Sequence, residues 1–376
     1  MNLPLWIWQH PNWPHFNWQA EPLVPLLRAC TQAQGRLLGM LGAVGSDTEA
    51  QSSLDALLQN IVTSSAIEGE QLNVGSVRSS LARRLGLAEE DRTTARSEGL
   101  AQLLLDATQA HQHPLDLKRL YGWHCWLFPN DENLSARPLR IGTLRGDEPM
   151  QVVSGRLDRP TVHFEAPPRA GLEQQLSDFL NWFEGSRSDA RLDPLLRAGI
   201  AHFWFVTLHP FDDGNGRLTR AITDLALAQD EQQTIRFYAM SASILDDRAG
   251  YYHILEASQK GTLDITAWLQ WFLATLLKSL EQALARISRV LVKARFWQAH
   301  RNHALSAEQI KVLNRLLDGG ERGFENGISA AQYQAVAKVS KATATRHLGD
   351  LLEKGCITRL PGGGRSTRYQ VNHAGD

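Results

Sequence analysis

His209-Pro-Phe-Asp-Asp-Gly-Asn-Gly-Arg-Leu-Thr-Arg220 separates two helical patterns, and its reading decides the fold. Upstream, DPLLRAGIAHFWFVTL at 193–208 reads as a strongly apolar helix; downstream, RLTRAITDLALAQ starts a second one. The loop between them has the makings of an anion site. Gly214 and Gly216 let the backbone approach a ligand closely. A helix N-terminus follows, where free N–H groups and the dipole favour phosphate. Arg217 and Arg220, three apart, share one face of that helix and offer bidentate grips. Asn215 can bond a phosphate oxygen without adding charge, and Asp213 offers a hard oxygen ligand for Mg²⁺. His209, at the end of the preceding helix, has the near-neutral pKa that proton abstraction from a hydroxyl needs.

Outward from the loop, helical spacing recurs. Residues 21–43 carry Leu23, Leu26 and Leu27, and residues 47–67 carry Leu54, Leu57, Leu58 and Ile61. Residues 91–127, 169–185 and 264–293 also read as helices. Residues 138–168 differ: Met-Gln-Val-Val, a Ser-Gly turn region and Thr-Val-His-Phe signal a hairpin closed by Pro167-Pro168. The fold class is therefore mainly α, a helical core with one β-hairpin. Residues 1–20 gather Trp6, Trp8, Trp13, Phe16 and Trp18 around prolines; they read as an irregular cap burying its aromatics on the body, with a target-binding surface as the sharper alternative.

The whole loop matches HPFx(D/E)GNGRxxR at every defined position and so resembles the motif of the Fic family. The resemblance covers about residues 60–275 and implies a protein adenylyltransferase, moving AMP from ATP to a Tyr, Thr or Ser hydroxyl of a target protein. It implies His209 as general base, Phe211 as loop anchor and Asp213 as Mg²⁺ ligand. Gly214, Asn215 and Gly216 would form the anion hole, with Arg217 on the β-phosphate and Arg220 on the γ-phosphate. The hairpin, about 148–164, is similar to the family's flap, whose strand edge docks the target backbone. Ser64-Ser-Ala-Ile-Glu68-Gly69 resembles the inhibitory motif (S/T)xxxE(G/N); Ser64 and Glu68 share a helix face and Gly69 stops the helix. That likeness implies a Glu68–Arg220 ion pair in the place of the γ-phosphate. Two other functions stay open: a DNA-binding regulator whose core senses nucleotide, and a Fic enzyme that uses another donor or removes AMP.

Residues 304–372 resemble a winged helix-turn-helix. Ser329–Val339 and Lys341–Lys354 form the helix pair, Ser340 caps the second helix, and Cys356–Leu360 and Ser366–Val371 are the wing strands. From Lys338 to Val371 seven Lys/Arg face two Asp/Glu, a local basic patch suited to duplex DNA, with Arg346 and Arg365 as the candidate contacts. Protein docking is the alternative use of the same fold. The expected domains are 1–60 (cap and helices), 61–295 (catalytic core, with the inhibitory helix at about 61–70 and the flap) and 300–376.

Composition narrows the rest. Across 376 residues, 43% are hydrophobic, 21% are charged and the net charge is −1, so the chain is globular and no global field draws it to nucleic acid or membrane. Cys30, Cys125 and Cys356 are odd in number and lack CxxC spacing, which argues against disulfides or a zinc site and for a reducing cytoplasm. The N-terminus lacks a signal-peptide pattern, and no stretch approaches the roughly 18 apolar residues of a membrane span. The cap's WxWQHPxWPxF pattern is similar to a small region of some bacterial Fic proteins, pointing to a bacterial source. A homodimer is compatible with all of this.

Overall fold

The computed structural model describes residues 6–41, 46–87, 92–129, 139–156, 159–232, 237–319, 324, 326–361 and 367–372. It divides into two compact units. The first comprises Met1–Leu37 and Gly45–Ala283, the second Leu38–Val44 and Leu284–Asp376. Among the described residues, no helix is long and apolar enough to cross a membrane.

From the N-terminus, α1 (Val24–Leu41), α2 (Ser46–Ile67), α3 (Val74–Arg84), α4 (Ala95–Gln109) and α5 (Leu117–Leu127) precede a hairpin of β1 (Gln151–Arg156) and β2 (Arg159–Glu165). Then come α6 (Leu172–Gly185), α7 (Pro194–Leu208), α8 (Asn215–Glu231), α9 (Met240–Asp246), α10 (Arg248–Ser258) and α11 (Thr266–Ala299). All belong to the first unit except the ends of α1, from Leu38, and of α11, from Leu284, which belong to the second. The core is α7: every residue from Leu195 to Leu208 is buried. Asp193 caps it by accepting the Leu195 N–H, and Pro194 needs no donor in the first turn. α7 packs along α8, and α4 covers α8 from another side. With its neighbours packed all round, α7 has no need of an amphipathic pattern.

α3 escaped the sequence reading for a physical reason. It buries Ser76, Ser79 and Ser80 where an apolar stripe would be expected. The Ser76 and Ser80 hydroxyls each lie 2.9 Å from Ser97 Oγ on α4, so side-chain hydrogen bonds replace part of the usual apolar contact.

The hairpin corrects one detail. Ser154 and Gly155, read as a turn region, lie inside β1, paired with Thr161 and Pro160. The ladder runs on to the Arg156–Arg159 pair. The aromatic N-terminal segment supports this hairpin. Trp6 meets Phe164 edge-on at 5.5 Å, and Trp8 Nε1 donates to the Glu165 carbonyl at 2.7 Å. Trp13 and Phe16 pack against Trp204 of α7. The segment thus buries aromatics on the body.

The second unit contains α12 (Ala307–Asp318), β3 (Ile328–Ser329), α13 (Ala330–Ala337), α14 (Lys341–Glu353), β4 (Ile357–Arg359) and β5 (Arg368–Val371). The strands form one antiparallel sheet in the order β3-β5-β4. Val312, Leu313, Tyr333, Leu348, Leu351 and Ile357 supply much of its core. Ser340 caps α14 by accepting the Thr343 N–H. Cys356, whose sequence spacing argued against a metal site, lies beside His300 and His303. These histidines are distant in sequence, so no CxxC-type pattern could reveal the cluster.

Candidate active site

The loop between α7 and α8 is fixed at both ends. His209 caps α7 in the left-handed region, φ 47° and ψ 57°, an unusual place for a residue with a Cβ. Arg145 holds it there: its Nε donates to the His209 carbonyl at 2.9 Å, and its guanidinium also bonds the Pro167 carbonyl. The Arg145 N–H donates to the Pro210 carbonyl at 2.9 Å. At the far end Gly214, φ 82°, precedes the first turn of α8; a Cβ there would stand 3.0 Å from the Phe128 ring.

Two internal braces span the loop. Asn215 Oδ1 accepts the Phe211 N–H at 3.0 Å, while its Nδ2 donates to the Phe211 carbonyl at 2.8 Å. The amide expected to meet a phosphate is therefore committed to closing the loop, and what Asn215 offers a ligand is its backbone N–H. Phe211 is fully buried and stacks on His124 with centroids 4.2 Å apart. His124 takes the Gly142 N–H on Nδ1 at 2.9 Å, which assigns its proton to Nε2, 3.1 Å from the Asp213 carbonyl. Burial holds the His124 pKa below its ordinary value, consistent with a neutral brace.

His209 Nδ1 lies 3.1 Å from the Val206 carbonyl. A carbonyl only accepts, so Nδ1 carries the proton and Nε2 keeps a lone pair. Burial lowers the His209 pKa, although the Val206 bond and the nearby Glu68 charge act in the opposite sense. The neutral ring is thus the dominant form near pH 7.

The two loop arginines are both buried and both paired with carboxylates from one segment. Arg220 is 3% exposed; its Nε donates to Ser64 Oγ at 2.8 Å, and one terminal nitrogen reaches the Ser64 carbonyl at 2.9 Å and Glu68 Oε1 at 2.7 Å. Burial pushes the Glu68 carboxyl up, but the charge and bond of Arg220, with Arg217 and His209, outweigh it and hold the pKa below the ordinary value. Arg217 donates to Glu70 Oε2 at 2.7 Å, and Glu70 also takes a two-pronged grip from Arg96 at 2.9 and 2.7 Å. Both Arg96 and Arg217 lie over the Phe128 ring, at 5.4 and 5.2 Å. Glu70, Arg96, Arg145 and His124 were all missed by the sequence reading. A carboxylate two positions beyond Glu68, with the same charge opposite the same arginine pair, was the one signal available.

Two buried guanidinium nitrogens, Arg217 Nε and the second terminal nitrogen of Arg220, have no partner among the described residues. Unspent buried donors beside a helix N-terminus suit a polyanion. Asp213, its side chain 56% exposed, adds a hard oxygen donor of the kind Mg²⁺ selects. Asp213 and the α8 N-terminus open on a cavity of about 610 Å³, lined also by Glu68, by Val153 and His163 of the hairpin, and by Tyr252 of α10, while Arg217 and Arg220 line a smaller pocket beside Ser64. Among the described residues the hairpin pairs with no further strand, so each of its strands keeps an edge without a strand partner. His163 is steadied by Glu256 at 2.7 Å. Such a site can hold phosphates at the α8 N-terminus while His209 Nε2 accepts a proton nearby.

Residues 114–227 match the Fic/DOC family, and residues 6–87 match a domain of unknown function, DUF4172. The chain is 27% identical over 203 residues to protein adenylyltransferase fic-1 of Caenorhabditis briggsae, covering 53% of this chain and 36% of the relative. It is 25% identical over 233 residues to protein adenylyltransferase Fic of Drosophila willistoni, covering 59% and 42%. It thus spans well under half the length of these curated relatives. Among solved structures it resembles a Fic family protein from Desulfovibrio desulfuricans, with TM-score 0.50 at 19% identity over 94% of this chain and 97% of the other. It also resembles a Fic domain containing signaling protein from Bacteroides thetaiotaomicron, with TM-score 0.52 at 16% identity over 69% and 97%. Those identities speak for the fold; the family match, which includes the loop, shows a Fic/DOC domain at residues 114–227 of this chain.

Proposed function

We propose that this protein is an adenylyltransferase that transfers AMP from ATP to a Tyr, Thr or Ser hydroxyl of a target protein, and that Glu68 restrains it. One observation carries the reading: His209 Nε2, with its lone pair free, shares a cavity with a helix N-terminus flanked by buried arginine donors that lack protein acceptors. The triphosphate lies along the α8 N-terminus, on the N–H groups of Asn215 and Gly216, with Arg217 on the β-phosphate and Arg220 on the γ-phosphate. His209 Nε2 takes the proton of the target hydroxyl as its oxygen attacks the α-phosphorus. The new oxygen–phosphorus bond forms as the bond to pyrophosphate breaks, and the pyrophosphate leaves toward the arginines. Asp213 would hold Mg²⁺, which would supply positive charge to offset that of the phosphates. The free hairpin edge holds an extended target segment by main-chain pairing, which places the hydroxyl without reading much sequence.

Glu68 opposes this by occupying Arg220 and by bringing negative charge against the first turn of α8. Incubation of Glu68→Gly with ATP labelled at the α- or the γ-phosphate tests the reaction. Label should reach protein from the α position alone; transfer from the γ position would identify a kinase and sink the proposal. The helices and three-stranded sheet of the second unit support a winged helix-turn-helix that binds duplex DNA. Lys341, Thr345 and Arg346 are exposed on α14, as a recognition helix requires. Arg365 lies outside the described residues.

A further inference from the structure

The second unit holds a cluster that the transfer reaction does not use. α11 ends at Ala299, and the turn after it carries His300 and His303. His300 N–H still bonds the Phe296 carbonyl, and His303 N–H bonds the His300 carbonyl, which sets the two rings side by side. Cys356 stands directly before β4, its N–H on the Leu351 carbonyl and its carbonyl holding the Asn372 N–H. The three side chains meet through the atoms that ligate metals. Nδ1 of His300 and Nδ1 of His303 are 3.2 Å apart, and Cys356 Sγ is 3.6 Å from the first and 3.9 Å from the second.

Those spacings have a simple geometric meaning. A tetrahedral zinc ion lies about 2.0–2.1 Å from nitrogen and about 2.3 Å from sulfur, which separates its nitrogen ligands by roughly 3.4 Å and nitrogen from sulfur by roughly 3.6 Å. The three contacts straddle these values. Without an ion the same arrangement is poor: one proton is shared between two facing Nδ1 atoms, and the rest depends on the weak S–H donor. We infer that His300, His303 and Cys356 form a zinc site with water in the fourth position, stapling the end of α11 to the start of β4. The thiolate and two imidazoles favour zinc over Mg²⁺ or Ca²⁺, which prefer all-oxygen shells. His303 is exposed, so the fourth position opens to solvent, while His300 and Cys356 are buried. Zinc binds thiolate rather than thiol, so its uptake displaces the Cys356 proton.

Cobalt(II) titration of the metal-stripped full chain tests the site, since Co²⁺ reports thiolate and tetrahedral ligation by its absorption. A Cys125→Ser background removes the exposed thiol as a competing ligand. The expected result is about one equivalent bound, with a thiolate-to-cobalt band that zinc abolishes. His303→Ala, at an exposed position, keeps the fold as judged by circular dichroism and weakens binding at least roughly tenfold. Cys356→Ser removes the thiolate band. A cobalt spectrum without that band in the parent, or affinity unchanged in His303→Ala, overturns the inference.

Discussion

Glu68 Oε1 lies 2.0 Å from the position a Cβ on Gly216 would occupy. The carboxylate therefore rests on the first turn of α8 itself, in a space that exists because residue 216 has no side chain. Gly216→Ala should consequently expel Glu68 without activating the enzyme, because the added methyl fills the space a phosphate needs. Nucleotide binding measured by calorimetry should be lost in Gly216→Ala and in the double variant with Glu68→Gly alike. Robust transfer by Gly216→Ala would show that Glu68 alone, and not the space above residue 216, limits binding.

Glu68→Gly should raise transfer to self or target by about 10- to 100-fold, the worth of one charge-assisted hydrogen bond of roughly 1.5–3 kcal/mol. Glu68→Gln keeps the bulk and loses the charge. If repulsion of the γ-phosphate dominates, Gln approaches Gly in labelled-ATP assays; if bulk dominates, Gln stays near the wild-type rate. No gain in either variant would end the restraint hypothesis.

His209→Ala, on the Glu68→Gly background, should lose roughly 10²- to 10⁴-fold in transfer while ATP binding survives. The pH profile follows from the sign of the shift. Burial lowers the His209 pKa, so the base is protonated and idle only in acid. kcat/KM should rise with pH through a value below 6.5, the ordinary histidine pKa, and then level. Removing Glu68 takes away a charge that raises that pKa, so the rise in Glu68→Gly should lie at still lower pH. A rise centred above 7 would exclude His209 as the base.

Arg220→Ala releases Glu68 from its partner yet removes the γ-phosphate ligand. It should bind ATP more weakly than Glu68→Gly by about tenfold or more, and remain poorly active. Activity equal to Glu68→Gly would remove Arg220 from the nucleotide site.

Arg346→Ala in the full chain should weaken duplex DNA binding and lower the slope of log affinity against log salt by about one, as loss of one phosphate contact requires. Gel shifts across a salt series measure both. Absence of DNA binding even at low salt would favour protein docking by α14.

The candidate loop was legible because its chemistry is local. A base, an acid, two glycines and two arginines fall within twelve consecutive positions, and helix geometry alone places Arg217 and Arg220 together. The apolar run of α7 was equally plain. What escaped depends on contacts across the fold. Arg145 reaches ahead 64 residues to the His209 carbonyl, His124 is joined to Asp213 across 89, and Glu70 meets Arg217 across 147. α3 was lost because serines take the inward positions an apolar pattern would mark. Asn215 was ambiguous because its amide suits a phosphate and a loop closure equally, and its bonds to the Phe211 backbone appear only in the folded chain.

Glu68 and Glu70 flank Gly69, which holds φ +83° just beyond α2. Arg220 and Arg217 are thus tethered to opposite sides of one pivot. Ser64 and Glu68, on the α2 side, hold Arg220, and Glu70, on the other side, holds Arg217. A rotation at Gly69 therefore moves the Glu70 grip while leaving the Arg220 contacts on α2 in place, so the hinge can address the two arginines one at a time.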